Sequence, residues 1–263
     1  MLLRGRLPVV ALFLVLFLIL SSTLRVQAGP PYITDDPEPE ELHHWEINLA
    51  TIDFKTAGSW SGNALHADIA YGLLPDLELN LLAPFSYDAP RHESGHLGYG
   101  DTQLGFKYRL AKENGFIPEV GFAPFVVLPT GDHDLGLGDG KAQLFLPLWL
   151  QKTFGQWTSY GGGGYFFNPG DSDNRDYWFM GLVVQRKMSE TFNLGMEIFR
   201  RTADTRNGSA QTALNLGATL DLSEHFHILV SAGHSVEGPG QFLGYLAFQI
   251  TLGPEEKKET AGK

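Results

Sequence analysis

Residues 65–85, LHADIAYGLLPDLELNLLAPF, carry the clearest sequence signal of the fold. On either side of the turn at Leu74-Pro75, apolar side chains occupy every second position, for example Leu65 and Ile69 before it and Leu77 and Leu81 after it. A β-strand points successive side chains to opposite faces, so each half of this stretch has one apolar and one mixed face. The pattern predicts two antiparallel strands joined by a tight turn.

The same alternation recurs along the chain and defines the whole fold. Twelve segments share it: residues 45–55, 63–73, 76–86, 100–110, 116–128, 141–153, 157–167, 176–187, 191–201, 210–221, 225–235 and 241–252. The connections alternate between tight turns and longer, glycine-rich loops; the loops are residues 56–62, 87–99, 129–140, 168–175, 202–209 and 236–240. Short turns at one end and longer loops at the other, with strands of about 10 residues, are typical of outer-membrane barrels. Residues 43–252 are therefore predicted to form an all-β, antiparallel, up-and-down transmembrane barrel of about twelve strands.

Three segments lie outside the predicted barrel. Residues 1–28 combine two early arginines, an apolar run over residues 7–20 and a small residue at Ala28, which predicts a cleaved signal peptide. The apolar run is too short for a membrane-spanning helix. Residues 29–42 are rich in proline and acid and form either a periplasmic leader or a plug in the lumen. Residues 253–263 read as a charged, frayed C-terminal tail.

Composition excludes several classes of function. The chain has no cysteine, which rules out disulfides, thiolate metal sites and a cysteine nucleophile. Loss of residues 1–28 removes three arginines and no acid, which changes the net charge from −11 to −14. Such a chain is not expected to bind nucleic acid, because that requires a basic surface. No nucleophile-elbow or zinc-protease motif occurs, so no catalytic residue, metal or cofactor is predicted and the protein is not expected to be an enzyme.

Periodicity alone cannot tell whether the apolar faces contact lipid or a soluble core. The export signal, the strand number and the aromatic residues near the short-turn ends favour lipid, since such rings form interfacial girdles; those residues are Tyr71, Tyr108, Phe192 and Phe226. The sequence thus predicts residence in the outer membrane, in contact with its lipid. Two alternatives stay open: an outer-membrane enzyme that modifies lipids, and a soluble exported barrel that carries a ligand.

If the apolar faces contact lipid, the charged side chains of the strands point into the lumen. The candidates for a lumen constriction are Glu46, Asp68, Glu78, Lys107, Arg109, Glu119, Glu197 and Arg201. Such residues either sort solutes by size and charge or pair across strands as a structural ladder. Lys107 and Arg109, beside Glu78 or Glu119 on neighbouring strands, are the strongest candidates for the constriction.

Several motifs carry a family resemblance. They are GDTQLGFKYR at residues 100–109, LPTGD at 128–132, GLGDG at 136–140, PPYITDDPEP at 30–39 and HWE at 44–46. The chain resembles the phenol-degradation MetA-pathway family of outer-membrane proteins over most of residues 30–252. The resemblance implies an outer-membrane β-barrel that acts as a channel or transporter for small hydrophobic or aromatic solutes. It supplies no catalytic residues, and it leaves the solute, the direction of transport and the oligomeric state open.

Overall fold

The computed structural model describes residues 30–170 and 173–254. The predicted signal peptide, and the tail beyond residue 254, lie outside the described residues. No helix in the described ranges is long and apolar enough to cross a bilayer.

Twelve antiparallel strands follow one another around a closed barrel. Their bounds are β1 Trp45–Lys55, β2 Ser59–Leu74, β3 Leu77–Pro90, β4 in two pieces at His96–Tyr99 and Thr102–Ala111, β5 in two pieces at Glu119–Phe122 and Phe125–Leu128, β6 Gln143–Phe154, β7 Trp157–Phe167, β8 Tyr177–Ser189, β9 Phe192–Arg201, β10 Gln211–Asp221, β11 Phe226–Glu237 and β12 Phe242–Leu252. Each strand pairs with the next, and β12 pairs with β1 from Trp45↔Leu252 to Lys55↔Phe242, which closes the sheet. The predicted twelve-stranded barrel is confirmed.

Two of the predicted long loops are instead largely strand. β2 begins at Ser59, and β3 continues to Pro90, where it pairs with the first piece of β4 from Phe85↔Tyr99 to Asp88↔His96. The register of β2 against β3 shifts between Asn63 and Leu65. Such a bulge inserts one unpaired residue and changes the phase of the alternation, which is why the sequence pattern began β2 too late.

The outer face of the barrel is apolar. On β6 the side chains of Leu144, Leu146, Leu148 and Leu150 are exposed, and the residues between them are buried. The same inversion occurs on β8, where Trp178, Met180, Leu182 and Val184 point outward. A soluble barrel buries its apolar face, so an outward apolar belt is the arrangement that a bilayer stabilises.

The inner face is aromatic in one part and charged in another. A buried cluster of Phe145, Trp149, Phe179 and Phe199 occupies the wall formed by β6, β8 and β9. Most buried charged residues of the wall lie on β1, β3, β4 and β5, and Glu197 lies on β9. The chain enters and leaves the barrel at the end where the short turns lie, here called the short-turn end; the opposite end is the long-loop end.

Candidate functional site in the barrel lumen

The leader segment, residues 30–42, crosses the inside of the barrel before β1 begins. Thr34 and Asp36 are completely buried, with 0% and 1% of their surface exposed. At one side of the lumen the Tyr32 hydroxyl donates to the Gly217 carbonyl of β10 at 3.0 Å, and the Ser231 hydroxyl of β11 donates to the Pro31 carbonyl at 2.7 Å. At the other side the segment reaches β3, β4 and β5. It therefore spans the lumen from wall to wall.

Glu197 of β9 holds the backbone of the leader segment. Its Oε1 accepts a hydrogen bond from the Thr34 amide at 2.6 Å, and its Oε2 accepts one from the Ile33 amide at 3.2 Å. The Asn215 side chain donates to the same carboxylate at 3.2 Å. Glu197 is fully buried, and a buried carboxylate is stable only when its oxygens receive such donors. The leader segment thus supplies two of these three donors.

Lys107 of β4 forms ion pairs with the leader segment. Its Nζ lies 3.0 Å from Asp35 Oδ1 and 3.6 Å from Asp36 Oδ1. Lys107 is a register partner of Glu78 on β3, as the sequence suggested, but its ion pairs go to the acidic leader. The Glu78 carboxylate accepts a hydrogen bond from the backbone amide of Glu40 at 2.6 Å. Both predicted residues therefore hold the leader segment.

Arg109, also on β4, combines a wall contact with a leader contact. Its Nε lies 2.8 Å from Glu119 Oε1 on β5, the neighbouring-strand pairing expected from the sequence. Its guanidinium also lies 3.7 Å from Glu38 of the leader segment and 3.3 Å from Asp76 in the β2–β3 turn. The guanidinium fork can serve several carboxylates at once, and here it ties the leader to the short-turn end of the wall.

The remaining candidates divide into two groups. Glu46, which receives a hydrogen bond from the Asn48 side chain at 2.8 Å, borders a cavity beside the leader segment, as does Asp68. Arg201 lies apart at the long-loop end, where it pairs with Asp204 at 3.1 Å and stands over the Tyr177 ring. The structure thus places six of the eight candidates along the leader segment or this cavity; Glu119 contacts Arg109 in the wall, and Arg201 lies apart.

Two glycines in the wall allow the leader segment to pack closely, and the sequence reasoning missed their role. A Cβ added at Gly181 of β8 would lie 1.8 Å from the Thr34 hydroxyl oxygen, and one at Gly121 of β5 would lie 2.6 Å from the Pro37 carbonyl oxygen. Glycine inside a strand often marks the close approach of another backbone. These positions were the available signal that something other than wall side chains fills the lumen.

The cavity beside the leader segment has a volume of about 220 Å³ and a strongly acidic lining. Among the described residues it is lined by six carboxylates, namely Asp35, Glu38, Glu40, Glu46, Asp68 and Glu78, and by a single basic residue, Lys107. Burial, and then the nearby charges of Glu46 and Glu78, raise the pKa of Glu40 to about 9. This excess of acid makes the cavity attractive to cations and unfavourable for anions.

A second cavity of about 520 Å³ lies between the leader segment and the long-loop end. We call this cavity the vestibule. One part of its lining is aromatic and includes Phe54, Phe125, Phe166 and Tyr177, while the rest is polar and includes Asn63, Asp101, Asp139, Gln143 and Arg201. The aromatic part is well ordered by ring contacts: Phe166 stacks on Phe145 at 4.2 Å and on Tyr177 at 4.7 Å between ring centres. Such a lining suits a flat apolar molecule with a small polar group.

Structural comparison relates the chain to outer-membrane channels. The crystal structure of the COG4313 outer membrane channel from Pseudomonas putida F1 is similar, with a TM-score of 0.70 and 16% identity over 87% of this chain and 100% of that one. The NanC porin gives a TM-score of 0.57 at 6% identity, over 78% of this chain and 100% of that one. The KdgM porin in complex with disordered oligogalacturonate gives 0.54 at 8% identity, over 78% and 98%. At these identities the likeness establishes the fold.

Sequence comparison establishes the family. No curated protein matches the chain. The model of the family described as "Putative MetA-pathway of phenol degradation" matches residues 45–250, which is the entire barrel except for the last two residues of β12. This match confirms the resemblance inferred from the motifs. The chain is therefore a member of the phenol-degradation MetA-pathway family.

Proposed function

We propose that the protein is an outer-membrane channel for small hydrophobic or aromatic solutes, and that the leader segment is a plug inside its lumen. The observation that carries the proposal is the combination of an apolar outer belt with a leader segment that crosses the lumen between Glu197 and Lys107. The apolar belt is stable in contact with lipid. The leader segment obstructs the lumen, which supports a gated passage and not an open pore.

The barrel would be oriented with its short-turn end in the periplasm. Outer-membrane barrels place short turns there and longer loops outside the cell. The vestibule then faces the exterior, where a solute arrives, and the acidic leader segment separates it from the periplasmic mouth. A solute would contact the rings of Phe125, Phe166 and Tyr177 before it reaches the plug.

Passage requires displacement of the plug. The acidic cavity beside the leader segment has a volume of about 220 Å³, which by itself would hold a single aromatic ring. Its lining excludes such a solute instead, because carboxylates disfavour apolar groups. The acidic cavity therefore admits small ions, whereas an aromatic solute crosses only when the leader segment moves.

The channel does no covalent chemistry in this account. Three charged groups of the lumen wall serve the leader segment: Glu197 accepts its amides, and Lys107 and Arg109 pair with its carboxylates. The proposed partners are the outer-membrane lipid and the solute.

Deletion of residues 30–40 tests the proposal in two assays. In planar bilayers we expect the truncated barrel to conduct in a steady high-conductance state, since the wall remains and the obstruction is gone. In cells, we expect wild-type protein to increase uptake of a labelled monoaromatic hydrocarbon more than uptake of a sugar of similar size. A truncated barrel with unchanged conductance would contradict the plug, and equal uptake of both solutes would contradict the solute class.

A further inference from the structure

An apolar groove opens on the outside of the barrel at the short-turn end. It has a volume of about 830 Å³ and lies between the β4–β5 turn, residues 112–118, and the β6–β7 turn at Gly155 and Gln156. Phe116, Pro118, Phe154 and Trp157 line it. The Phe116 side chain is fully exposed, and Phe154 and Trp157 are about half exposed. Exposed apolar residues grouped in this way mark an interaction surface.

Hydrogen bonds fix the shape of the groove. Asn114 and Ile117 exchange two backbone hydrogen bonds, at 3.1 and 2.9 Å, so that the turn displays Phe116 at its tip. Lys152 on β6 donates to the Glu113 carboxylate and to the Gly115 carbonyl, each at 2.6 Å, and the other Glu113 oxygen accepts the Thr153 amide at 3.0 Å. These bonds fix the β4–β5 turn against β6 and hold the groove open.

A basic group stands at the edge of the groove. The guanidinium of Arg186 on β8 lies over the Trp157 ring, 5.2 Å from its centre, and it forms no ion pair within the described ranges. Lys152 uses its charge on Glu113, so Arg186 is the cation that stays available beside the apolar lining. This placement runs against the composition of the chain, whose net charge is −11.

We propose that this groove binds one anionic phospholipid, with an acyl chain along Phe116, Phe154 and Trp157 and the phosphate headgroup at Arg186. Two observations favour lipid over a periplasmic protein. The groove continues the outer apolar belt, since Phe154 follows Leu148 and Leu150 on the same outward face of β6. Arg186, the one cation at its edge that forms no ion pair with the residues the structure describes, complements a phosphate. Basic groups beside an apolar surface are the usual mark of anionic lipid binding. The site rests on the proposed outer-membrane location and is independent of solute passage.

Native mass spectrometry of the intact barrel tests the proposal. The protein is released from mixed micelles that contain equal amounts of phosphatidylglycerol and phosphatidylethanolamine, and retained lipid is counted. We expect one retained phospholipid with a preference for phosphatidylglycerol. Arg186→Gln should lower that preference about fivefold, the effect of one basic group near an anionic surface, and Arg186→Lys should keep most of it. Phe116→Ala should lower the retention of both lipids.

The matched control is Arg200→Gln, because Arg200 lies on β9 at the long-loop end and pairs with Glu237. It should leave both the amount of lipid and the headgroup preference unchanged. Heat-modifiable gel mobility verifies that each variant is a folded barrel. Equal retention of the two lipids by wild type, or an equal loss of preference in the Arg186 and Arg200 variants, would overturn the proposal.

Discussion

Replacement of Glu197 by glutamine should weaken the hydrogen bonds that hold the plug, while the side-chain volume stays nearly the same. The carboxylate accepts the amides of Ile33 and Thr34 at 3.2 and 2.6 Å, whereas a glutamine has one acceptor oxygen and turns an amino group toward the second donor. A hydrogen bond to a charged group contributes about 1.5 to 3 kcal/mol and a neutral one about 0.5 to 1.5 kcal/mol. Two weakened bonds thus reduce the free energy of leader docking by about 2 kcal/mol, which raises the undocked population about 30-fold.

Single-channel recording measures this change directly. The fraction of time that Glu197→Gln spends in a high-conductance state should rise by about that factor over wild type, and the conductance of the state should match that of the leader deletion. Glu224→Gln is the control, because Glu224 lies exposed in the β10–β11 turn, away from the leader segment. An unchanged open fraction in Glu197→Gln, or the same increase in Glu224→Gln, would show that the Glu197 carboxylate does not hold the plug in place.

Three further predictions follow from the charges around the leader segment. Lys107→Gln should raise the open fraction at least as much as Glu197→Gln, because loss of one partner from a buried ion pair destabilises by about 3 to 5 kcal/mol. Single-channel recording tests this, with the exposed Lys112→Gln as control. Equal open fractions in Lys107→Gln and Lys112→Gln would contradict the prediction. The pKa of Glu40 is about 9 in the docked leader segment, against 4.5 for an exposed glutamate, so docking takes up a proton. The stabilisation of the docked state by this proton is complete below pH 4.5 and declines as the pH rises toward 9. The open fraction should therefore increase from pH 5 to pH 9, and Glu40→Gln should flatten that profile. The residual current through the closed channel should be carried by cations. Asp68→Asn should lower the permeability ratio of K⁺ to Cl⁻, measured as a reversal potential, while Asp134→Asn in an exposed loop should leave that ratio unchanged. A Cl⁻-selective current in wild type would exclude the acidic cavity as the ion path.

The barrel could be predicted from the sequence because its physical signal is local. In a strand with one face toward lipid, apolar residues must recur at every second position, as on β6 from Leu144 to Leu150. Where this rule was locally broken the prediction was wrong. The register shift near Asn63 hid the first residues of β2, and the paired residues at the end of β3 were mistaken for a loop.

The lumen could be predicted only in part. The pairing of Arg109 with Glu119 follows from neighbouring strands, and the sequence placed both on the inner face. The partners of Lys107 and Glu197 lie far away in the chain, on a segment without periodicity, so no local pattern connects them. The acidity of residues 29–42 was visible, but its counter-charge and the glycines that admit the segment gain their meaning only from the closed barrel.

A reversible cross-link between plug and wall tests whether the leader segment must move before a solute crosses. The chain has no cysteine, so the pair Thr34→Cys and Gly181→Cys forms the only possible disulfide within one molecule. The Cβ position at Gly181 is 3.0 Å from Thr34 Cβ, so a shift of about half an ångström reaches the spacing of a disulfide. We expect the oxidised protein to lose uptake of the monoaromatic hydrocarbon and a reductant to restore it. Equal uptake in the oxidised and reduced states would show that solutes cross without movement of the leader segment, and would contradict the account.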